Sequence, residues 1–130
     1  LGTEKEVIHL DANFLIRAAD RNSPVEMTLQ NWLQQGETLA TSSIAWAEFL
    51  NGPVRLDQVE KMDDLIEERI IPFGRIEAQI AAALFNQTGR KRGSRPDCSI
   101  AATAIGSKAP LATFNRQDFT AFVPLGLRLA

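Results

Sequence analysis

Val7-Ile8-His9-Leu10-Asp11-Ala12-Asn13-Phe14-Leu15-Ile16 is the stretch from which the fold is read. Residues of strand character, Val7 to Leu10, run directly into an aspartate, and an apolar pattern of helical spacing begins two residues later at Asn13. Asp11 therefore stands at the carboxyl end of a strand. In an open α/β sheet the carboxyl ends of the strands border the crevice where ligands bind, so an acid placed there is a plausible first member of a site. The remaining chain is read for further acids delivered to the same edge.

The 130 residues carry 45% hydrophobic and 23% charged side chains, proportions of an ordinary globular protein, and suit a single domain spanning residues 1–130. No apolar run is long enough for a membrane span. The opening Leu1-Gly2-Thr3-Glu4-Lys5-Glu6 has neither the basic start nor the apolar core of a secretory signal, which makes the cytoplasm the expected compartment. A lone cysteine, Cys98, agrees with a reducing environment and reads as a small core residue. The net charge of -2 excludes a general nucleic-acid coat, because nonspecific affinity for phosphate comes from Lys and Arg. An acidic centre with a basic rim satisfies the same balance.

Taken in order, Asn13 to Ala19 is a short helix with Asp11 or Asn13 as its cap. A second helix starts near Pro24 and stops before Gly36. Thr38 to Thr41 is a strand, followed by Ser42-Ser43 as a cap and by a helix from Ile44 to Asn51. That helix is apolar from Ile44 to Leu50 except at Glu48, so it is expected to be buried on most sides, with Glu48 either on a solvent stripe or in an acidic cleft. Leu56 to Arg69 reads as an amphipathic helix with a solvated acidic face, Ile70-Ile71 as a brief strand ended by Pro72, and Arg75 to about Thr88 as a helix closed by Gly89. Arg90-Lys91-Arg92-Gly93-Ser94-Arg95 is a basic loop. It leads into a helix with Pro96 in its first turn, Ser94 or Arg95 as cap and Asp97 at the positive end of the helix dipole; the alanines that follow imply tight packing against a sheet. Leu111 to Thr113 is a last short strand, Phe114 to Phe119 a turn that Asn115 or Asp118 can cap, and Phe122 to Leu129 a small closing strand. The single histidine, His9, reads as a satisfied core or edge residue.

Strands alternating with helices imply a parallel or mostly parallel sheet covered on both faces. Asp11, Glu48, Asp97 and Asp118 then all fall near its carboxyl edge. Two ionised carboxylates about 4 Å apart repel by roughly 4 kcal/mol at an effective dielectric near 20. Such acids either keep protons or share a hard divalent cation, and an all-oxygen set selects Mg²⁺ or Mn²⁺ over zinc. Such an ion can lower the pKa of a bound water and stabilise both oxygens of an in-line phosphodiester displacement, so hydrolysis needs no protein nucleophile. Arg90, Lys91, Arg92 and Arg95 would hold flanking phosphates.

The blocks Leu10-Asp11-Ala12-Asn13, Ala47-Glu48-Phe49, Pro96-Asp97-Cys98-Ser99-Ile100-Ala101-Ala102-Thr103-Ala104 and Ala112-Thr113-Phe114-Asn115-Arg116-Gln117-Asp118-Phe119 resemble a PIN domain, specifically the VapC-type toxin ribonucleases of toxin-antitoxin modules. The similarity runs over nearly the whole chain. It implies a three-layer α/β/α sandwich with a short, mostly parallel central sheet, a Mg²⁺- or Mn²⁺-dependent endoribonuclease acting on RNA, such as tRNA or another structured RNA, a homodimer, and inhibition by a cognate antitoxin. By position, Asp11, Glu48 and Asp97 would be the principal metal carboxylates. The fourth falls at Asn115 or Asp118, of which the carboxylate Asp118 is the better ligand, with Asn115 orienting it or a water. Asn13 and Ser42 match polar positions beside the site.

Two other classes compete. A PIN-like module that has lost catalysis would work through RNA or protein contacts alone. An Asp-dependent phosphatase would also end its first strand on an aspartate, but commonly repeats one two residues later, where this chain has Asn13.

Overall fold

The computed structural model describes residues 5–21 and 23–130; the leading residues 1–4, on which part of the expectation about a signal rests, and Asn22 lie outside the described residues. Four strands, β1 (Val7–Leu10), β2 (Thr38–Ser42), β3 (Ile70–Ile71) and β4 (Leu111–Ala112), form one parallel sheet in the order β3-β2-β1-β4. The register sets Ile8 opposite Leu39 and Leu10 opposite Ala112. All four strands therefore end at the same edge.

Helices cover both faces, giving the expected three layers. Helices α1 (Ala12–Ala19), α2 (Pro24–Gln34) and α4 (Leu56–Ile66) bury Phe14, Leu15, Leu29, Met62 and Ile66 against Ile8, Leu10 and Leu39. On the opposite face, α5 (Arg75–Gln87), α6 (Arg95–Gly106), the one-turn α7 (Arg116–Phe119) and a 3-10 helix (Thr120–Leu125) enclose a core of small residues. Ala101, Ala102 and Ala104 are fully buried there, so α6 lies close to the sheet, as its composition predicted. Helix α3 (Ser43–Asn51) contributes to both cores, Phe49 to the first and Ala45 to the second.

Five local expectations need correction. Only Ala45 and Phe49 of α3 are buried, and Leu50 is 46% exposed, because the helix packs along one edge and is not sandwiched. Helix α4 stops at Ile66 and not at Arg69, since Glu67 and Glu68 adopt left-handed backbone angles that end the ladder and turn the chain into β3. The segment after Thr120 is a 3-10 helix, and the closing strand reduces to one parallel bridge from Leu129 to Leu111. Ser94 stands at the start of α6 but does not cap it; its hydroxyl donates to the Lys91 carbonyl at 2.7 Å. His9 is not satisfied: it is buried, neither ring nitrogen has a hydrogen-bond partner among the described residues, and burial pushes its pKa down to about 4. Among the described residues, no helix is long and apolar enough to cross a membrane.

Candidate active site

Asp11 follows β1 and caps α1, so its backbone is held by the sheet on one side and by the helix on the other. Its Oδ1 accepts the Ala12 N–H at 2.8 Å, and its Oδ2 accepts the Thr113 hydroxyl at 2.7 Å. Capping and site membership are thus not alternatives here. Burial raises the Asp11 pKa, the two hydrogen bonds oppose that rise, and the nearby Asp118 charge adds to it.

Thr113 is the residue that sequence reasoning missed. Because Leu10 pairs with Ala112, the residues just beyond the two strands, Asp11 and Thr113, come side by side. A β-branched hydroxyl at the end of a strand was the available signal, but it becomes informative only when the register of two strands far apart in the chain is known. The same hydroxyl accepts the Asn115 N–H at 3.0 Å, tying Asp11 to the loop that leads into α7.

The other acids arrive from separate elements. Asp97 lies in the first turn of α6, half-buried. Its pKa is pushed up to about 6, first by burial, then by the charges of Asp11, Asp118 and Glu48, with Lys91 opposing. Glu48 projects from the exposed side of α3, and its pKa is raised by partial loss of hydration and by Asp11. Asp118 sits on exposed α7. The four carboxylates therefore share one electrostatic neighbourhood at the carboxyl edge of the sheet, as the topology requires.

The residues expected beside them divide. Ser42 is buried and spends its hydroxyl on the Ala45 N–H at 2.9 Å, which makes it the cap of α3. Asn13 accepts the Phe114 N–H over a long 3.4 Å and so links α1 to the loop after β4. Asn115 precedes α7, exposed, and its side chain makes no capping bond. The basic run is split by the turn that carries it. Lys91 and Arg92 line a cavity of about 230 Å³ together with Asp97, Gln117 and Asp118. Arg90 and Arg95 stand over the ring of Phe85, 5.0 and 4.9 Å from its centroid.

The donor set decides what ion could be held. Among the described residues, no three His, Cys, Asp or Glu side chains gather closely enough to enclose an ion by themselves. An all-carboxylate set of this looser kind suits Mg²⁺ or Mn²⁺, which keep several waters and take substrate oxygens to complete an octahedron, and does not suit zinc. Asp11, Glu48, Asp97 and Asp118 are the residues that would hold it.

Comparison with known proteins follows the same outline. The family described as "PIN domain" matches residues 8–122, from within β1 to within the 3-10 helix. The chain belongs to the PIN domain family. No curated protein sequence matches it. Among solved structures, this PIN domain is similar to VapBC2 of Rickettsia felis bound to a DNA fragment from its promoter, with 24% identity, 95% of this chain and 97% of that one covered, and a TM-score of 0.72. It is similar also to FitAcB of Neisseria gonorrhoeae, at 22% identity over 95% and 96% with a TM-score of 0.70, and to a toxin-antitoxin complex of Klebsiella pneumoniae, at 26% over 87% and 89% with a TM-score of 0.68. Likenesses of this depth establish the fold. Membership in the PIN family supports nuclease chemistry, and the site just described is where it would occur.

Proposed function

We propose that residues 1–130 form a single PIN domain acting as a Mg²⁺- or Mn²⁺-dependent endoribonuclease, the VapC-type toxin of a toxin-antitoxin pair. The observation that carries this reading is the convergence of Asp11, Glu48, Asp97 and Asp118 from separate elements, with the Asp97 pKa pushed up to about 6 by burial and then by the charges of the other three. Carboxylates assembled against their own repulsion are poorly explained by stability and well explained by a cationic ligand.

When bound, Mg²⁺ or Mn²⁺ supplies Lewis-acid polarisation of a phosphoryl oxygen and a water of lowered pKa. The chain supplies everything else. The Ala12 N–H and the Thr113 hydroxyl each hold one oxygen of Asp11, so its carboxylate is fixed in one orientation. Lys91 and Arg92 place positive charge in the cavity that Asp97 and Asp118 also line, where an RNA phosphate would otherwise be repelled by the acids. Partial burial in the first turn of α6 strips part of the hydration from Asp97.

The solved neighbours are toxin-antitoxin complexes, which supports an antitoxin protein as the natural inhibitor. Exposed Leu50 on α3 and Ile76 on α5 support a homodimer by offering apolar surface to a second copy. The two tryptophans are both partly buried against the first core and are not free for that role. A cytoplasmic location fits a toxin that acts on cellular RNA.

The test is cleavage of a pool of structured cellular RNAs by the purified protein, free of antitoxin, with Mg²⁺, Mn²⁺ or chelator, beside Asp97→Asn. Discrete cuts that need the metal and disappear in the variant are expected. A folded, metal-loaded protein that binds the pool without cutting it would favour the binding-module reading instead.

A further inference from the structure

The split of the basic run has a geometric consequence beyond charge. Thr88 ends α5, and Gly89 and Arg90 both take left-handed backbone angles, so that the Arg90 N–H reaches back to the Phe85 carbonyl at 2.9 Å. Left-handed backbone costs a non-glycine residue about 1 kcal/mol, and here it folds the Arg90 side chain onto the Phe85 ring. Arg95 comes to the same ring from the first turn of α6. Neither guanidinium takes part in an ion pair among the described residues. Both are solvent-exposed.

The cavities around this cluster share lining residues. Arg92 lines the acid cavity with Asp97 and Asp118, and it lines a second cavity of about 450 Å³ with Phe85, Arg90 and Arg95. Beyond Phe85, the same two arginines border a pocket of about 330 Å³ walled by Ala81, Ala82 and Cys98, with Asn86 and Ser99 as its polar groups. A basic track thus leads from the carboxylates, around the start of one helix, to an apolar slot. Arg95 and Asp97 lie on opposite sides of α6, whose diameter of about 10–12 Å sets the spacing between the two ends of the track.

We propose that this slot receives one unpaired nucleobase of the RNA, within about two nucleotides of the bond cut at the acid cleft. The inference rests on the ribonuclease reading and specifies its substrate contacts. Arg92, Arg90 and Arg95 grip the intervening phosphates, the Phe85–arginine cluster gives the base a flat face, and Ser99 meets its hydrogen-bonding edge together with the amide nitrogen of Asn86, whose Oδ1 accepts from the Arg90 guanidinium. Bases splayed from single-stranded RNA bind proteins by this combination of aromatic or guanidinium stacking with edge contacts. A base held in a duplex cannot enter a slot between two helices.

The experiment uses an unstructured 12-nucleotide RNA that the wild-type protein cuts, prepared as a set with one abasic site at each position, and measures binding in chelator. One abasic position within two nucleotides of the cut should weaken wild-type binding roughly 5- to 150-fold, the range of base–aromatic stacking. Phe85→Leu should weaken binding of the intact RNA by a similar factor and be indifferent to that abasic site. Arg90→Gln/Arg95→Gln alters only exposed side chains and should lower the salt slope of binding by about 1.4, at roughly 0.7 per phosphate contact. The inference is overturned if no abasic position distinguishes wild type from Phe85→Leu, if the salt slope of the double variant is unchanged, or if these substitutions weaken capture of an antitoxin peptide and leave RNA untouched. A wild-type protein that neither binds nor cuts RNA would overturn the ribonuclease reading with it, whereas normal cutting with no coupling at Phe85 removes this proposal alone.

Discussion

Asp97→Asn should stabilise the metal-free protein, and only on the alkaline side. Asp97 holds its proton up to about pH 6 in the folded protein against an ordinary 3.8. Between these values the folded state binds more protons than the unfolded one, so its stability falls as pH rises through the window and remains lower above it. Taken at face value, the displacement corresponds to about 3 kcal/mol at 1.36 kcal/mol per pH unit. Asp97 is only half-buried, and solvent screening reduces the expected gain to roughly 1 kcal/mol. Asparagine removes the charge that burial disfavours and that Asp11, Asp118 and Glu48 repel, and keeps the shape. In urea unfolding with chelator, the variant should exceed wild type by that amount at pH 8, with a melting point about 3–5 °C higher. The difference should shrink toward zero as pH falls to 4. His9 biases both proteins equally and cancels in the comparison. A variant no more stable than wild type at pH 8, or equally more stable at both pH values, would show that Asp97 is not held in the partly buried, acid-lined setting described.

Thr113→Val removes the hydroxyl on Asp11 while keeping the β-branched shape, and RNA cleavage should fall about 10- to 100-fold, the usual cost of losing a residue that orients a metal ligand; Thr113→Ser should restore most of it. Ser42→Ala deletes the cap bond to Ala45 and should cost about 0.5–2 kcal/mol in urea unfolding. His9→Leu replaces a buried ring with no hydrogen-bond partner and should stabilise the protein by roughly 1–2 kcal/mol near neutral pH. Because His9 stays neutral down to about 4 against an ordinary 6.5, wild type loses stability as pH falls through that window; the leucine variant should lose less, which an unfolding series from pH 7 to 4 would read.

The parts of the fold that were legible are those where local chemistry and tertiary packing agree. Pro24 and Gly36 bracket α2, the alanines of α6 sit against the sheet, and Asp11 lies where β1 stops. Acids from four blocks share one end of the sheet because parallel strands with helical crossovers deliver every strand end to the same edge. What was not legible depends on partners distant in the chain. The hydrophobic run of α3 promised burial on most sides, but which faces are covered is decided by neighbours that sequence periodicity does not identify. The hydrogen bond from Thr113 to Asp11 crosses 102 positions and waits on strand register. The unsatisfied state of His9 follows from the same register, which sets it opposite Ala40 and Leu111, neither of which has a polar side chain to offer it. The basic run was read as one surface, yet left-handed backbone at Gly89, Arg90 and Gly93 turns its members to different sides.

The most direct test of the central claim is calorimetric titration of the metal-free protein with Mn²⁺ at pH 5.5 and pH 7.5, beside Asp11→Asn. If Asp11, Glu48, Asp97 and Asp118 form a cation site, Mn²⁺ binds, binds more tightly at the higher pH, and releases protons on binding at the lower one, because ligating carboxylates must be ionised. Asp11→Asn should lose most of that affinity. A folded wild-type protein with no Mn²⁺ binding, or with binding indifferent to pH and to Asp11, would contradict the account.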